Sequence, residues 1–456
     1  MSPRLYNTMS RRVEELAAAN GELKMYVCGI TPYDHSHVGH AMSYIIFDVL
    51  RRYLEFRGFR VRHVQNYTDI DDRIIMRANA QGLTFDQVAE SYIEEYKEEM
   101  RELNITPAHV YPRATQEIPT IIEMVEALVR KGSAYATEDG DVYFDVRRDP
   151  DYGKLSGRDV DSMMAGARVE PGGHKRDPAD FALWKAAKPG EPAWDSPWGP
   201  GRPGWHIECS AMSYRYLGPT LDIHGGGQDL IFPHHENEIA QSEAFTGVKP
   251  FVRYWLHNGW LTLGEEKMSK SLGNIITIRE ALKQYGADGL RIFVLTAHYR
   301  APLTYSAEGL EAGKRAAERL RLAATLPGGQ GAPADIDPEE SRQRFVAAMD
   351  DDLNTAGALA TLFDLSREIN RARDEGRSVE TAQGALQELA GVLGLTLREP
   401  ELASEAAPFI DVLVNLRNEL RARKAFDVAD GIRARLDELG IALEDGAEGT
   451  RWRRRD

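Results

Sequence analysis

Short apolar runs alternate with longer amphipathic runs near the start of the chain. Residues 25–27 are apolar, and a turn containing glycine and proline separates them from an amphipathic run between Tyr44 and about Phe56. Residues 61–66 predict a second strand. This order predicts a strand, a helix and a strand. The two strands pair in parallel because the connection between them is long.

The same pattern returns in the middle of the chain. Residues 220–224 predict a strand, which is followed by three glycines and a helix that begins near Pro233. Residues 254–257 predict another strand. We therefore expect one Rossmann-like parallel sheet whose two halves are separated by an insertion of about residues 115–210.

The intervening residues have patterns of their own. Apolar spacing predicts mostly helix over residues 70–131, and alternation predicts a hairpin over residues 134–145. Residues 150–210 are irregular and rich in glycine and proline, but they also contain four tryptophans. Long irregular stretches are usually functional or disordered, and the tryptophans argue against disorder.

From about Ile278 onward we see helical periodicity and no clear strand pattern. Helices are expected over roughly residues 280–325, 338–375, 379–393 and 405–439. The predicted fold class is α/β: a split, Rossmann-like parallel-sheet domain followed by all-α C-terminal domains.

Length, apolar runs and net charge limit the kinds of protein that this chain can be. The chain has 456 residues, so several domains are expected. No apolar run approaches 18 residues and the N-terminus lacks the apolar segment of a signal peptide, so we expect a cytoplasmic protein without membrane spans. The net charge of −15 does not favour a basic nucleic-acid-binding protein, although residues 409–456 carry ten basic and ten acidic side chains.

Four dispersed side chains form a candidate metal site. Cys28 and Cys209 are the two cysteines of the chain, and His234 and Glu238 lie four residues apart on the predicted helix. This donor set suits zinc. The alternatives are two buried cysteines and a surface histidine–carboxylate pair. His235 is a competing ligand, but we expect it to point away from the face of Glu238.

Two short motifs are candidates for nucleotide binding. His37 and His40 flank Gly39, which permits close backbone approach at a predicted helix start, where phosphate is favoured. Lys267 and Lys270 lie in a cationic loop that can pair with polyphosphate. Each motif alone is weak: the alternatives are exposed or capping histidines and a solvated turn.

Together the motifs resemble a known family. His37-Val38-Gly39-His40 is similar to the HIGH signature of class I aminoacyl-tRNA synthetases, with valine in place of isoleucine, and residues 267–271 are their KMSKS signature. Further stretches resemble cysteinyl-tRNA synthetases and span most of the chain: residues 25–40, 66–72, 199–210, 222–230, 430–433 and 449–452.

The resemblance implies a reaction and assigns roles to residues. Members of the family activate L-cysteine with ATP and Mg²⁺ to cysteinyl-adenylate, then transfer cysteine to tRNA(Cys). The metal ligands correspond to the four candidates above, and the ion is Zn²⁺, one per chain. The resemblance gives catalytic roles to His37, His40, Lys267 and Lys270, ATP contacts to His37, Gly39, His40 and Lys270, and substrate contacts to Thr68, Trp205, His224 and Asp229.

The resemblance also implies a domain organisation. A catalytic domain would cover residues 1–278, including the insertion, and a stem-contact helical segment residues 279–326. A helical bundle would cover residues 327–400 and an anticodon-binding domain residues 401–456. We expect a monomer.

Two rival interpretations remain open at this point. An ATP-dependent ligase that attaches cysteine to an amino sugar resembles this family but lacks its terminal anticodon-binding module, which residues 425–455 match here. A zinc-stabilised RNA-binding protein without activity is the non-enzymatic alternative. The presence of His37, His40, Lys267 and Lys270 argues against it.

Overall fold

The structure is a computed structural model that describes residues 2–18, 21–160, 175–263, 266–267, 276–398, 401–446 and 449–454. The chain divides into two compact units, residues 1–396 and residues 397–456. Each unit is described by itself.

Strands and helices alternate through the first unit, and helices dominate its second half. The strands are β1 (Arg4–Asn7), β2 (Arg12–Glu15), β3 (Glu22–Val27), β4 (Arg60–Gln65), β5 (Ala134–Ala136), β6 (Val142–Phe144), β7 (Phe181–Ala186), β8 (Gly201–Pro203), β9 (Leu221–Gly227), β10 (Val252–Asn258), β11 (Leu261–Leu263), β12 (Glu266–Lys267), β13 (Leu303–Tyr305), β14 (Ile441–Gly446) and β15 (Gly449–Arg454).

The helices are α1 (Val38–Phe56), α2 (Asp72–Gln81), α3 (Phe85–Glu102), α4 (Ile118–Arg130), α5 (Trp205–Leu217), α6 (Glu236–Thr246), α7 (Ile278–Leu295), α8 (Ala307–Thr325), α9 (Pro338–Asp350), α10 (Thr355–Asp374), α11 (Glu380–Val392), α12 (Glu401–Ala422) and α13 (Phe426–Glu438). A π-helical turn, Ile231–His235, directly precedes α6.

The central sheet is parallel and follows the order β10-β9-β3-β4. Its inner strands are almost fully buried, as the apolar run Met25–Val27 in β3 predicts. Helix α1 is the crossover between β3 and β4. The predicted α/β class with a split parallel sheet is confirmed.

The insertion contains more regular structure than the sequence indicated. Strands β5, β6, β7 and β8 form an antiparallel sheet in that order, and α4 and α5 pack against its apolar face around Trp184. The expectation that residues 150–210 are irregular is therefore wrong for β7, β8 and the start of α5. These strands are short, and β8 contains a glycine and a proline, which weaken a strand pattern.

The helical second half is confirmed, but the expectation of no strand after residue 278 is wrong. Strand β13 pairs in parallel with β11, and β11 pairs with β12. In the second unit, α12 and α13 are followed by the antiparallel hairpin β14–β15, and four buried apolar residues of this unit form a small cluster: Ile410, Val414, Leu436 and Leu443.

Among the helices that the structure describes, none has the length and apolar character needed to cross a bilayer.

Candidate functional site

The predicted site lies where parallel strands end. Cys28 directly follows β3, and its backbone N–H donates to the carbonyl of Gly225 in the neighbouring strand β9, at 3.2 Å. Open α/β sheets bind ligands at this carboxyl edge. The topology therefore brings residues from distant parts of the chain to one edge.

Four of the predicted residues meet there. One donor atom from each of Cys28, Cys209, His234 and Glu238 lies within 4.8 Å of the others. The Oε1 atom of Glu238 is 3.0 Å from Nε2 of His234 and 3.9 Å from Sγ of Cys28. The three residues other than Cys28 are buried. Two thiols, an imidazole and a carboxylate at this spacing suit zinc by number and by donor type.

The ionisable groups of the cluster shift one another's pKa values. Burial alone would raise the pKa of Glu238, but His224 and His234 outweigh it and lower the pKa to about 2. Burial alone would lower the pKa of His234, but Glu238 and Cys209 raise it to about 10. The hydrogen bond from Cys28 lowers the pKa of Cys209 to about 6. Without a metal ion, the imidazolium of His234 thus compensates the buried carboxylate and thiolate, and a bound cation would take over that role.

His235 lies closer to this cluster than we expected. Its Nε2 atom is 3.4 Å from Sγ of Cys28 and 3.9 Å from Oε1 of Glu238. The prediction that His235 points away from Glu238 is wrong, because residues three apart on a helix are also neighbours on its surface. Cys28, His224, His235 and Glu238 form a second group at metal-binding spacing.

Further imidazoles form hydrogen bonds with the candidate ligands His234 and His235. His206 Nδ1 is 2.9 Å from Nδ1 of His234, and His235 Nδ1 is 2.8 Å from Nε2 of His257. The hydroxyl of Thr8 is 2.8 Å from the other ring nitrogen of His257. Hydrogen bonds of this kind fix the orientation of a ligating imidazole.

A cavity of about 340 Å³ opens beside Cys28. Its lining includes His37, Gly39, His40, Trp205 and Asp229, so five predicted residues share one cavity with the thiol. The ring of Trp205 stacks on His234 with centroids 4.4 Å apart. The cavity is therefore continuous with the cluster.

The histidine motif opens helix α1 and contacts the start of α7. The rings of His37 and His40 stack with centroids 3.8 Å apart. The backbone N–H of Val38 donates to the carbonyl of Ile276 at 3.1 Å, and that of Ile278 donates to the carbonyl of Ser36 at 3.0 Å. The segment that follows the lysine motif is thus tied to the histidine motif.

Two predicted substrate residues lie outside the cavity lining. Thr68 is buried and accepts a hydrogen bond from Asn66, and Nε2 of His224 is 2.9 Å from Oε2 of Glu238. Their assignment to the substrate stays a prediction. Lys270 lies outside the described residues. For Lys267 the structure describes the backbone alone, in β12.

Sequence reasoning missed Arg73 and Tyr33. Both line the cavity, and the guanidinium of Arg73 lies 4.8 Å from the centre of the Tyr33 ring. Of the described residues that line the cavity, Arg73 is the only one with a lysine or arginine side chain. Tyr33 lies in the turn between β3 and α1, and that position was the available signal.

Comparison with known proteins agrees with this geometry. Residues 15–315 match the model of the "tRNA synthetases class I (C) catalytic domain", and residues 344–398 match the "DALR domain". A curated protein named cysteine–tRNA ligase from Dehalococcoides mccartyi is 60% identical over 454 residues, which cover 99% of each chain. One of the same name from Symbiobacterium thermophilum is 50% identical over the whole of both chains.

Solved structures agree on the fold. Methionyl-tRNA synthetase of Mycobacterium tuberculosis, in complex with methionyl-adenylate, superposes with a TM-score of 0.57 at 17% identity, covering 86% of this chain and 94% of that one. The family model matches most of the chain, two relatives are at least 50% identical over nearly all of it, and the fold is shared. The chain therefore belongs to the cysteine–tRNA ligase family of class I tRNA synthetases.

Proposed function

We propose that this protein is a zinc-dependent cysteine–tRNA ligase, which activates L-cysteine with ATP and transfers it to tRNA(Cys). The observation that carries the proposal is the two-thiol cluster, which opens into the same cavity as His37 and His40 in a chain of this family.

Cys28, Cys209, His234 and Glu238 would hold the zinc ion. When bound, the ion supplies a soft Lewis acid that accepts the substrate thiolate in preference to a serine hydroxyl. Cavity size alone discriminates poorly between such near-isosteres, so this preference supports selection of cysteine at the binding step.

The first chemical step needs positioning more than proton transfer. A carboxylate oxygen of cysteine bonds to the α-phosphorus of ATP while the bond to the bridging oxygen breaks, and Mg²⁺-bound pyrophosphate leaves. The carboxylate is already ionised, so no general base is required. His37 and His40 would contact the phosphates, with Gly39 allowing close approach, and Lys267 and Lys270 would stabilise the developing charge.

Other cavity residues would orient the amino acid. Asp229 is exposed at the cavity wall and is the candidate partner of the ammonium group. Trp205 would form part of the side-chain pocket beside His234. Thr68 and His224 do not line the cavity and would act indirectly. They would fix the side chains of Asn66 and Glu238, with which they form hydrogen bonds.

In the second step a hydroxyl of the tRNA's terminal ribose attacks the carbonyl carbon of the adenylate, and AMP leaves. Residues 279–326 would contact the tRNA stem, residues 327–400 would form a bundle, and residues 401–456 would contact the anticodon. We propose that the enzyme is a monomer and that it acts in the cytoplasm.

A comparison of acceptors tests the proposal. The protein is incubated with ATP, Mg²⁺ and radiolabelled cysteine, and with either a tRNA(Cys) transcript or glucosaminyl-inositol. We expect label on the tRNA alone. Label on the amino sugar would identify the rival ligase, and label on neither acceptor would refute both enzymatic functions.

A further inference from the structure

A short segment of the insertion lies along helix α6, which carries the ligand Glu238. We call residues 151–156 the strap. The hydroxyl of Tyr152 donates to Oδ1 of Asn237 at 2.5 Å, and the ammonium of Lys154 lies 2.6 Å from Oε2 of Glu243. The strap is therefore attached to α6 at both ends of the helix.

The central attachment is a buried carboxylate. Glu236 has 1% of its surface exposed, and it accepts the backbone N–H of Leu155 on Oε1 at 3.2 Å and that of Ser156 on Oε2 at 2.7 Å. Both oxygens are thus used on two successive amides of the strap. A carboxylate that accepts two backbone donors is held more firmly than one in a surface ion pair.

The strap also makes contacts with parts of the first unit other than α6. The Leu155 side chain is 1% exposed and belongs to the same buried cluster as Cys209 and Tyr26. Lys249 lies 2.5 Å from Asp151 at the start of the strap. The strap therefore joins α6 to the apolar layer that contains a second predicted ligand.

Two of the three attachments lie on a different face of α6 from the ligand. Successive residues of an α-helix are separated by about 100°, so Glu236 is about 200° around the axis from Glu238. Glu236 and Glu243, seven residues apart, share a face. The strap thus covers the side of the helix that points away from the cluster, where it can oppose rotation of the helix about its axis.

We propose that Glu236 is a positioning residue for the metal cluster: by holding the strap against α6, it fixes the direction in which His234 and Glu238 point. This gives the 151–156 segment of the insertion a role in metal binding, although none of its side chains is a ligand. The proposal rests on the metal site proposed above.

The test measures zinc binding to the full-length protein. Zinc affinity is measured by competition with a chromogenic chelator, and the cobalt(II)-substituted protein is examined by absorption spectroscopy. In Glu236→Gln one of the two acceptors becomes an N–H donor that faces a backbone N–H. We expect zinc affinity to fall about 10- to 100-fold, the range for partners of metal ligands, and the cobalt bands to shift.

Asp180→Asn is the matched control. Asp180 is 2% exposed and accepts hydrogen bonds from Tyr135, Val146 and Asp177, all within the insertion. Its loss costs stability without altering the attachment of α6, so zinc affinity and the cobalt spectrum should match the unmodified protein. An equal fall in affinity in both variants would assign the effect to general destabilisation and overturn the proposal.

A second variant keeps the test decisive if Glu236→Gln does not fold. Tyr152→Phe combined with Lys154→Met loosens the strap while leaving Glu236 in place, and we expect a smaller fall, about threefold, with a shifted cobalt spectrum. Unchanged affinity and spectrum in a folded variant would overturn the proposal. Failure of the unmodified protein to bind zinc would instead refute the metal site itself.

Discussion

Arg291 and Asp48 form an ion pair, 2.5 Å between Nη2 and Oδ2, in which neither side chain has any exposed surface. The pair joins α7 to α1, the helix that begins with the histidine motif. Arg291 also donates to the carbonyl of Leu393, just after α11, and to that of Leu103, just after α3. One buried guanidinium thus ties together four segments of the first unit.

Replacing Arg291 with methionine should strongly destabilise the first unit. The change removes Arg291 from two buried carbonyls and from the Asp48 carboxylate, which keeps Arg52 at 2.8 Å and the backbone N–H of Thr106. Breaking a buried pair from one side costs about 3–5 kcal/mol, and the remaining partners of Asp48 place the expected loss near the lower end of that range. Urea denaturation followed by tryptophan fluorescence measures the loss. Arg344→Met is the control: it breaks an ion pair with Asp364 that is partly exposed, and should cost less than about 1 kcal/mol. Equal losses in the two variants would contradict the assigned role.

Glu99 should make stability depend on pH. Burial, with a smaller contribution from Glu95, raises its pKa to about 7, above the 4.5 of an ordinary glutamate. Between these values the folded state holds a proton that the unfolded state has lost, so this contribution to stability is complete below about pH 4.5 and is lost as the pH rises through about 7.

The variant Glu99→Gln keeps the shape and removes the titration. We expect it to be more stable than the unmodified protein at pH 8, by on the order of 1–3 kcal/mol, and to show little gain at pH 5. Thermal unfolding at equal zinc content measures the difference. A gain at pH 5 as large as that at pH 8 would rule out titration of Glu99.

Cys209→Ala should remove the bound metal. We expect one zinc per chain in the unmodified protein and a fraction of that in the variant, because half of the thiolate donors are lost. Elemental analysis of dialysed protein gives the ratio, and circular dichroism checks that the variant folds. A fully active protein without metal would contradict the assignment.

Lys270→Ala should abolish cysteine-dependent exchange of pyrophosphate into ATP while sparing the fold. Loss of one preorganised cation at a developing charge typically costs 100- to 1,000-fold in rate. Lys283→Ala, an exposed lysine on α7, is the control and should leave exchange unchanged. Near-normal exchange in Lys270→Ala would exclude the proposed role.

The sequence predicted much of the sheet and of the metal cluster. The strand around Met25–Val27 is a short apolar run, which the sequence shows directly. Cys28 and Glu238 carry a thiol and a carboxylate, which are typical zinc donors. His235 was misplaced because both the i+3 and the i+4 spacing bring a side chain next to Glu238, and the sequence does not distinguish the two. The Arg291–Asp48 pair joins residues 243 positions apart and has no local signature.

The C-terminal hairpin escaped prediction for another reason. Strand β15 contains three arginines among its six residues, Gly449–Arg454, and β14 ends in Glu444-Asp445-Gly446. Charged residues and glycine are depleted in strands, so pairing here depends on tertiary contacts such as that between Arg417 and Asp445, at 2.9 Å.

The wide spacing of the ligands in the chain has a consequence for biosynthesis. Cys28 emerges from the ribosome long before Glu238, which follows it by 210 residues, and domains generally fold in the order of their synthesis. The nascent thiol must therefore wait, without its partners, until the whole insertion has been translated. A chain that terminates early within the insertion possesses the histidine motif but not the candidate ligand set, so metal binding at the proposed site would require translation of this domain to have passed Glu238.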